Sequence, residues 1–340
     1  MHPIDHVNMG QSTNDVYPTA LRIAAIRLLQ RLSESCAVLQ GTLQKKEAQF
    51  AGVLKVGRTQ MQDAVPITLG QEFGAYAEAV SRDRWRLYKV EERLRQVNLG
   101  GTAIGTAINT ERRYIYLVIE RLRALTGLGL ARAENMVDVT QNADVFVEAS
   151  GLIKAAAVTL VKISSDLRLL SSGPCAGIGE IKLPELQAGS SIMPGKVNPV
   201  IPEMVTQVSY QVMANDFAIS MAAQAGQLEL NAFLPLIADN LLNSIEMLSN
   251  AVKLFSSACI EDIEANEKRC MNLLKNSFSW VVVLAPKIGY DKASELAKKA
   301  LEKNVSLKQV ILEEEVMSAD EVSALFENMN EFVRLGHMER

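Results

Sequence analysis

Three short stretches of the chain are polar, rich in glycine or small residues, and fall at the ends of expected helices. The first is Gln11-Ser12-Thr13-Asn14-Asp15. The second is Gly57-Arg58-Thr59-Gln60-Met61-Gln62-Asp63-Ala64-Val65-Pro66. The third is Gly189-Ser190-Ser191-Ile192-Met193-Pro194-Gly195-Lys196-Val197-Asn198-Pro199. Hydroxyls and side-chain amides recur in all three, and the third adds an ammonium group. Taken singly, the first reads as an ordinary N-cap and the second as a polar turn before a helix. The third combines two hydroxyls, two glycines, a lysine and an amide. A plain surface loop has no need of Ile192 and Met193 among them. Together the three are far more specific than any one.

The elements that must position these stretches are long helices. Asn14-Asp15 followed by Pro18 reads as a helix start, and apolar residues recur from Leu21 to Leu39 with no further proline before Gln49. Such a helix is about 50 Å long. Pro66 is expected to open a second helix reaching about Asn98, and Gly100-Gly101 and Gly105 then break the pattern, leaving Ala103–Asn109 as a loop or turn. A third helix is expected from about Asn142 to Leu170. The stretch from Ser171 to Pro202 is too long for an ordinary bundle connection, and such loops are often functional. Pro202 is expected to start a further helix, kinked before Pro235 and ending near Phe255. The fold class read from this pattern is all-α: a long central helix bundle over residues 1–256, carrying the three stretches, and a small C-terminal helical domain over residues 257–340. The apolar faces are wider than one helical hairpin covers, so burial against other subunits is expected.

Composition narrows the function classes. The 340 residues are 48% apolar and 22% charged, so the chain is not disordered. A net charge of -4 argues against nucleic acid as a partner. The most apolar long stretch, near Ala218–Leu241, is interrupted by Gln224, Gln227, Glu229 and Asn231, so no membrane span is expected. The start lacks the basic and apolar regions of a signal peptide. Cys36, Cys175, Cys259 and Cys270 form no CxxC pair and read as free thiols of a cytoplasmic chain. Three scattered histidines are too few for a His-based zinc site.

GSSIMPGKVNP closely resembles the signature of the aspartase/fumarase superfamily. HPIDHVNMGQSTND and GRTQMQDAVP match that family's other two active-site regions, in order. LGGTAIGTAIN, VDVTQNAD, SGPCAGIGEIKLPELQ and the IGYD turn extend the similarity over essentially the whole chain, which is most similar to the aspartate ammonia-lyase branch. The resemblance implies a homotetramer whose active sites each gather the three stretches from three subunits. It implies reversible anti-elimination of ammonia from L-aspartate to give fumarate, through an enediolate, with no required cofactor; the pattern is silent on activation by a divalent cation.

By the same resemblance Ser190 is the catalytic base, its oxyanion stabilised by amide N–H groups and nearby positive charge. Lys196 and Asn198 would hold the carboxylate beside the departing proton. Ser12, Thr13 and Ser191 would hold the other carboxylate. Asn14, Thr59 and Gln60 would face the amino group. The alternative within the family is a class II fumarase, whose GRTHTQD pattern pairs a histidine with a glutamate at the position of Glu203. Gln60 cannot accept a proton, so that pair is absent here. The alternative outside catalysis is a helical scaffold, against which Lys196 and Asn198 beside Ser190 argue. Ile4, Ala188 and Ala285 replace the family's usual Asn, Pro and Asn. Family chains carry a domain ahead of the HPxD stretch, with a loop that gives a threonine to the site. This chain opens at Met1-His2-Pro3, so that domain is expected to be absent and activity impaired.

Overall fold

The structure is a computed structural model that describes residues 1–187, 189–329 and 333, so the departure at Ala188 lies outside the described residues. Among the described residues the fold is all-α apart from three two-stranded sheets. The chain divides into two compact units: residues 1–40, 78–166 and 200–258, and residues 41–77, 167–199 and 259–340.

The first unit is built on long helices. These are α1 (Thr13–Gln49), α2 (Leu69–Leu94), α5 (Asp144–Leu170), α6 (Val200–Gln224) and α7 (Leu234–Ala258); α1, α2 and α5 each continue into the second unit. Ile26 and Leu32 of α1, Phe146 and Ile153 of α5, and Leu241 and Leu248 of α7 are fully buried. Polar contacts also tie the helices together. Ser35 and Ser249 share a hydrogen bond at 3.1 Å, Asn215 Nδ2 donates to Ser244 Oγ at 2.9 Å, and Asp216 accepts from Ser150 at 2.7 Å and Lys154 at 2.5 Å. Between α2 and α5 lie β3 (Gln96–Val97) and β4 (Ala131–Arg132), paired in parallel, and the shorter helices α3 (Arg112–Thr126) and α4 (Met136–Gln141).

In the second unit an antiparallel hairpin, β1 (Leu54–Thr59) and β2 (Gln62–Thr68), packs on a core centred on the fully buried Trp280. Leu54 and Val56 of β1 enter that core with residues of α8 (Glu267–Asn276), α9 (Val281–Ile288), α10 (Tyr290–Lys303), α11 (Leu307–Glu313) and α12 (Ala319–Glu327). β5 (Ile181–Lys182) pairs antiparallel with β6 (Glu264–Ala265) and anchors the start of the 183–199 stretch.

Three expectations about elements need correction. Pro66 does not open a helix: it lies in β2 opposite Val56, and α2 starts at Leu69. The strand tolerates this proline beside a bulge, where the register shifts between Val56 and Arg58. Gly57 makes the bulge, because a Cβ there would stand 2.6 Å from the Val65 carbonyl oxygen. The true start of α2 is a capping box: Gln71 N donates to Thr68 Oγ1 at 3.1 Å, and Thr68 N donates to Gln71 Oε1 at 3.0 Å.

The expected kinked helix from Pro202 is two helices. Asn231 Nδ2 donates to the Ala222 and Ala223 carbonyls at 3.1 and 3.0 Å, closing α6, and Asn231 Oδ1 accepts from Phe233 N to begin α7. Pro18 lies inside α1, not at its first turn. Its missing N–H leaves the Asn14 carbonyl without its helical partner, and Asn98 Nδ2 fills the vacancy at 3.0 Å.

All four cysteines are free, and burial pushes the Cys36, Cys259 and Cys270 thiols up to about 12. No helix among the described residues is long and apolar enough to cross a membrane. Gly57→Ala is expected to destabilise the fold by about 2 kcal/mol, read as a fall in the urea midpoint at unchanged slope; an unmoved midpoint would show that the bulge accepts a side chain.

Candidate active site

The first polar stretch caps α1. Ser12 Oγ accepts from Asn14 N at 3.1 Å, which leaves the Ser12 hydroxyl proton free to donate elsewhere. Thr13 is exposed. Asn14 Nδ2 donates to the Ala103 carbonyl at 2.7 Å, so its Oδ1 remains as an acceptor. Asp15 is fully buried. Its Oδ1 accepts from Ser12 N at 3.0 Å, and its Oδ2 accepts from Gly100 N and Thr102 N, each at 3.0 Å. The Tyr114 phenol is pushed up, first by desolvation and then by the Asp15 charge.

The second stretch is the tip of the β1–β2 hairpin. Gln60 and Met61 form a two-residue turn with φ of 53° and 63°. That turn suits Asn-Gly, and a residue with a Cβ at positive φ costs about 1–2 kcal/mol. Thr59 and Gln60 are exposed there. Behind them Arg58 is held by Glu180: Arg58 Nη1 donates to Glu180 Oε2 at 3.1 Å, and Nη2 stands 3.0 Å from Oε1. Lys55, 1% exposed, reaches the same carboxylate at 3.1 Å and Glu72 at 2.7 Å. Glu180 itself has no exposed surface.

The third stretch is a loop folded back on itself. Asn198 Nδ2 donates to the Gly189 carbonyl at 2.8 Å, and Lys196 N donates to the Met193 carbonyl at 3.3 Å. Only glycine fits at 189, since a Cβ would lie 1.6 Å from the Lys196 carbonyl oxygen. This closure puts Ser190 Oγ in a position to accept from two backbone amides, Ile192 N and Met193 N, both at 3.1 Å. Ser190 is half-buried, while Ser191 and Lys196 are exposed.

Four of the expected residues, Ser190, Ser191, Lys196 and Asn198, thus share one loop in the second unit, and Thr59 and Gln60 stand on a hairpin tip in the same unit. Ser12, Thr13 and Asn14 belong to the first unit. Among the described residues no hydrogen bond joins the hairpin tip to the Ser190 loop, and no cluster of three His, Cys, Asp or Glu side chains could hold a metal ion. Sequence reasoning missed Glu180 and took Asp15 for a cap. The available signal for Glu180 is a lone acid between Gly179 and Ile181.

Serine, lysine and amide donors on loops of an all-α fold are suited to holding a small anionic substrate. Comparison with known proteins gives the class as a lyase. A family described as "Lyase" matches residues 1–214, and one described as "Fumarase C C-terminus" matches residues 281–330. The chain is 46% identical to an aspartate ammonia-lyase of Helicobacter pylori over 97% of this chain and 70% of that protein. It is 48% identical to the Pseudomonas aeruginosa aspartate ammonia-lyase over 93% of this chain and 67% of that protein. Among solved structures, a Brucella melitensis protein described as fumarate lyase:delta crystallin bound to cobalt superposes with a TM-score of 0.94 at 46% identity, covering 98% and 72% of the two chains. A class II fumarase from Schistosoma mansoni gives 0.87 at 34%, covering 95% and 71%. The chain belongs to the aspartase/fumarase superfamily of lyases.

Gln60→Gly is expected to raise stability by roughly 1 kcal/mol by relieving the left-handed backbone. A lower urea midpoint for this variant would show that the turn carries no strain.

Proposed function

We propose that the chain is an aspartate ammonia-lyase, catalysing the reversible anti-elimination of ammonia from L-aspartate to give fumarate. The observation that carries this reading is the pair of amide donors on Ser190 Oγ. Hydrogen bonds to the ionised form favour it, so the loop is built to support a serine oxyanion. The 42–49% identity to proteins named aspartate ammonia-lyase supports the substrate.

In this reading Ser190 Oγ removes the proton from the carbon beside one substrate carboxylate. The electrons of that C–H bond pass into the carboxylate, which becomes an enediolate with two negative charges. Lys196 supplies a cation to this charge and Asn198 holds the loop and the carboxylate together, the kind of stabilisation that counts only where charge develops. The enediolate then collapses to the C=C bond as the C–N bond breaks and ammonia leaves. Ser12, Thr13 and Ser191 hold the remote carboxylate. Asn14, whose free Oδ1 has the polarity to accept from an ammonium group, faces the amino group with Thr59 and Gln60. In this reading the roles named here fall to protein side chains, and no cofactor is invoked. Gln60 has no proton-accepting nitrogen, which favours deamination over the hydration that a histidine there would assist.

We also propose a homotetramer that builds each site from three subunits. Tyr210, Phe217 and Met221 form an exposed stripe along α6, with Phe217 68% exposed, and Val158 of α5 and Leu254 of α7 are exposed as well. A stripe of this kind at helical spacing marks an interaction face. The four unpaired thiols fit a reducing compartment, and we assign the chain to the cytoplasm.

The test is ultraviolet absorbance of fumarate formed from L-aspartate, with L-malate in parallel. Aspartate turnover is expected, Ser190→Ala should lower kcat by about 10²–10⁴-fold, and Lys196→Met by about 10²–10³-fold. Malate turnover exceeding that of aspartate would replace this reading with a class II fumarase. For site sharing, hybrids of Ser190→Ala and Thr59→Val chains should show more activity than either homotetramer; hybrids of proven mixed composition no more active than the parents would rule it out.

A further inference from the structure

The buried carboxylate of Asp15 does more than cap a helix. A first-turn acid ordinarily sits in solvent and gains modestly from the helix dipole. Asp15 instead has no exposed surface, and among the described residues no cation pairs with it. Its charge is compensated by three backbone N–H groups. Two belong to Gly100 and Thr102, 85 and 87 residues further along the chain. The third is Ser12 N, at the cap of α1. Two further bonds run alongside, from Asn14 Nδ2 to Ala103 O and from Asn98 Nδ2 to Asn14 O, and Asn98 also donates to Thr140 Oγ1 at 2.8 Å. The first turn of α1 is therefore fixed by the 98–103 segment, with Asp15 as the charged centre.

We infer that Asp15 is a positioning residue for the substrate's remote carboxylate, acting through Ser12 and Thr13, and that the Gly100–Thr102 turn is the outer support of that subsite. The inference rests on the roles proposed for Ser12 and Thr13. Those two hydroxyls hold a group that takes up no charge during the reaction, so they bind substrate and transition state alike. Loosening them is a loss of uniform binding, which appears in KM and leaves kcat nearly unchanged. A carboxylate that served only to stabilise the fold would, on removal, lower the folded fraction and the apparent kcat together and leave KM where it was.

Asp15→Asn tests this selectively. The carboxamide can keep its oxygen towards Gly100 N and Thr102 N only by turning its NH2 group on Ser12 N, where two donors then face each other. The expected result is a rise of about tenfold in KM for L-aspartate, with kcat changed by less than about threefold. The Kd of succinate, a dicarboxylate with no leaving group, should rise by the same factor when measured by calorimetry. Asp15→Ala should show a larger shift in the same sense; if it does not fold, Asp15→Asn decides alone. A fall in kcat with KM and the succinate Kd unmoved would overturn the inference, as would a parent chain that binds no succinate. Failure of the parent to turn over L-aspartate, with succinate bound and its Kd raised by Asp15→Asn, would overturn the ammonia-lyase reading and leave the role of Asp15 standing.

Discussion

The carboxylate of Glu180 is out of reach of water, and taking such a group out of solvent costs several kcal/mol unless cations and hydrogen bonds replace its hydration. Here Arg58 and Lys55 replace it, and Lys55 is itself balanced by Glu72. The consequence is geometric. Arg58 directly precedes the exposed Thr59-Gln60 tip, while Glu180 lies ten residues before Ser190, next to the β5–β6 pairing. One buried ion cluster thus ties the root of the hairpin tip to the segment that leads towards the Ser190 loop, within a single compact unit. Among the described residues no hydrogen bond joins the two tips, which leaves their donor groups available to a third party.

Asp15 performs the same service in the other unit by different means. It uses backbone amides in place of side-chain cations, and it recruits a turn far along the chain. Pro18 adds to this arrangement by freeing the Asn14 carbonyl for Asn98. A residue that would ordinarily weaken a helix interior becomes part of the support, because the orphaned acceptor it creates is satisfied from outside the helix. The Ser190 loop reverses the theme: there the backbone amides converge on a hydroxyl, and the closure at Gly189 is tight enough to exclude any Cβ. In all three places local chain geometry, set by glycine, proline or a buried charge, presents polar groups outward at fixed positions.

The long helices were legible because their apolar residues recur at the helical period over many turns, and a periodic signal of that length survives local noise. α1 and α5 follow from it within a few residues, while α6 and α7 follow only as a single kinked helix. The hairpin was not legible. Pro66 has the same meaning at a helix start as in an irregular strand, and only the bulge at Gly57, made across the strand pair, separates the two. The break at Asn231 was read as a proline kink because the capping bonds from its side chain run to carbonyls eight and nine residues earlier, which no local pattern reveals.

The sequence by itself determined the family, the all-α class and the identity of the polar residues, since each signature stretch is contiguous and carries its chemistry in residue type and order. Tertiary structure alone decided how those residues are held: which carboxylates are buried, that Ser190 Oγ faces two amides, and that Asn14 Nδ2 is taken up by the Ala103 carbonyl. The physical reason is that burial and hydrogen-bond partnership depend on what distant segments bring alongside. Glu180 meets Arg58 across 122 residues and Asp15 meets Gly100 across 85, and neither pairing leaves a mark on the spacing of the chain.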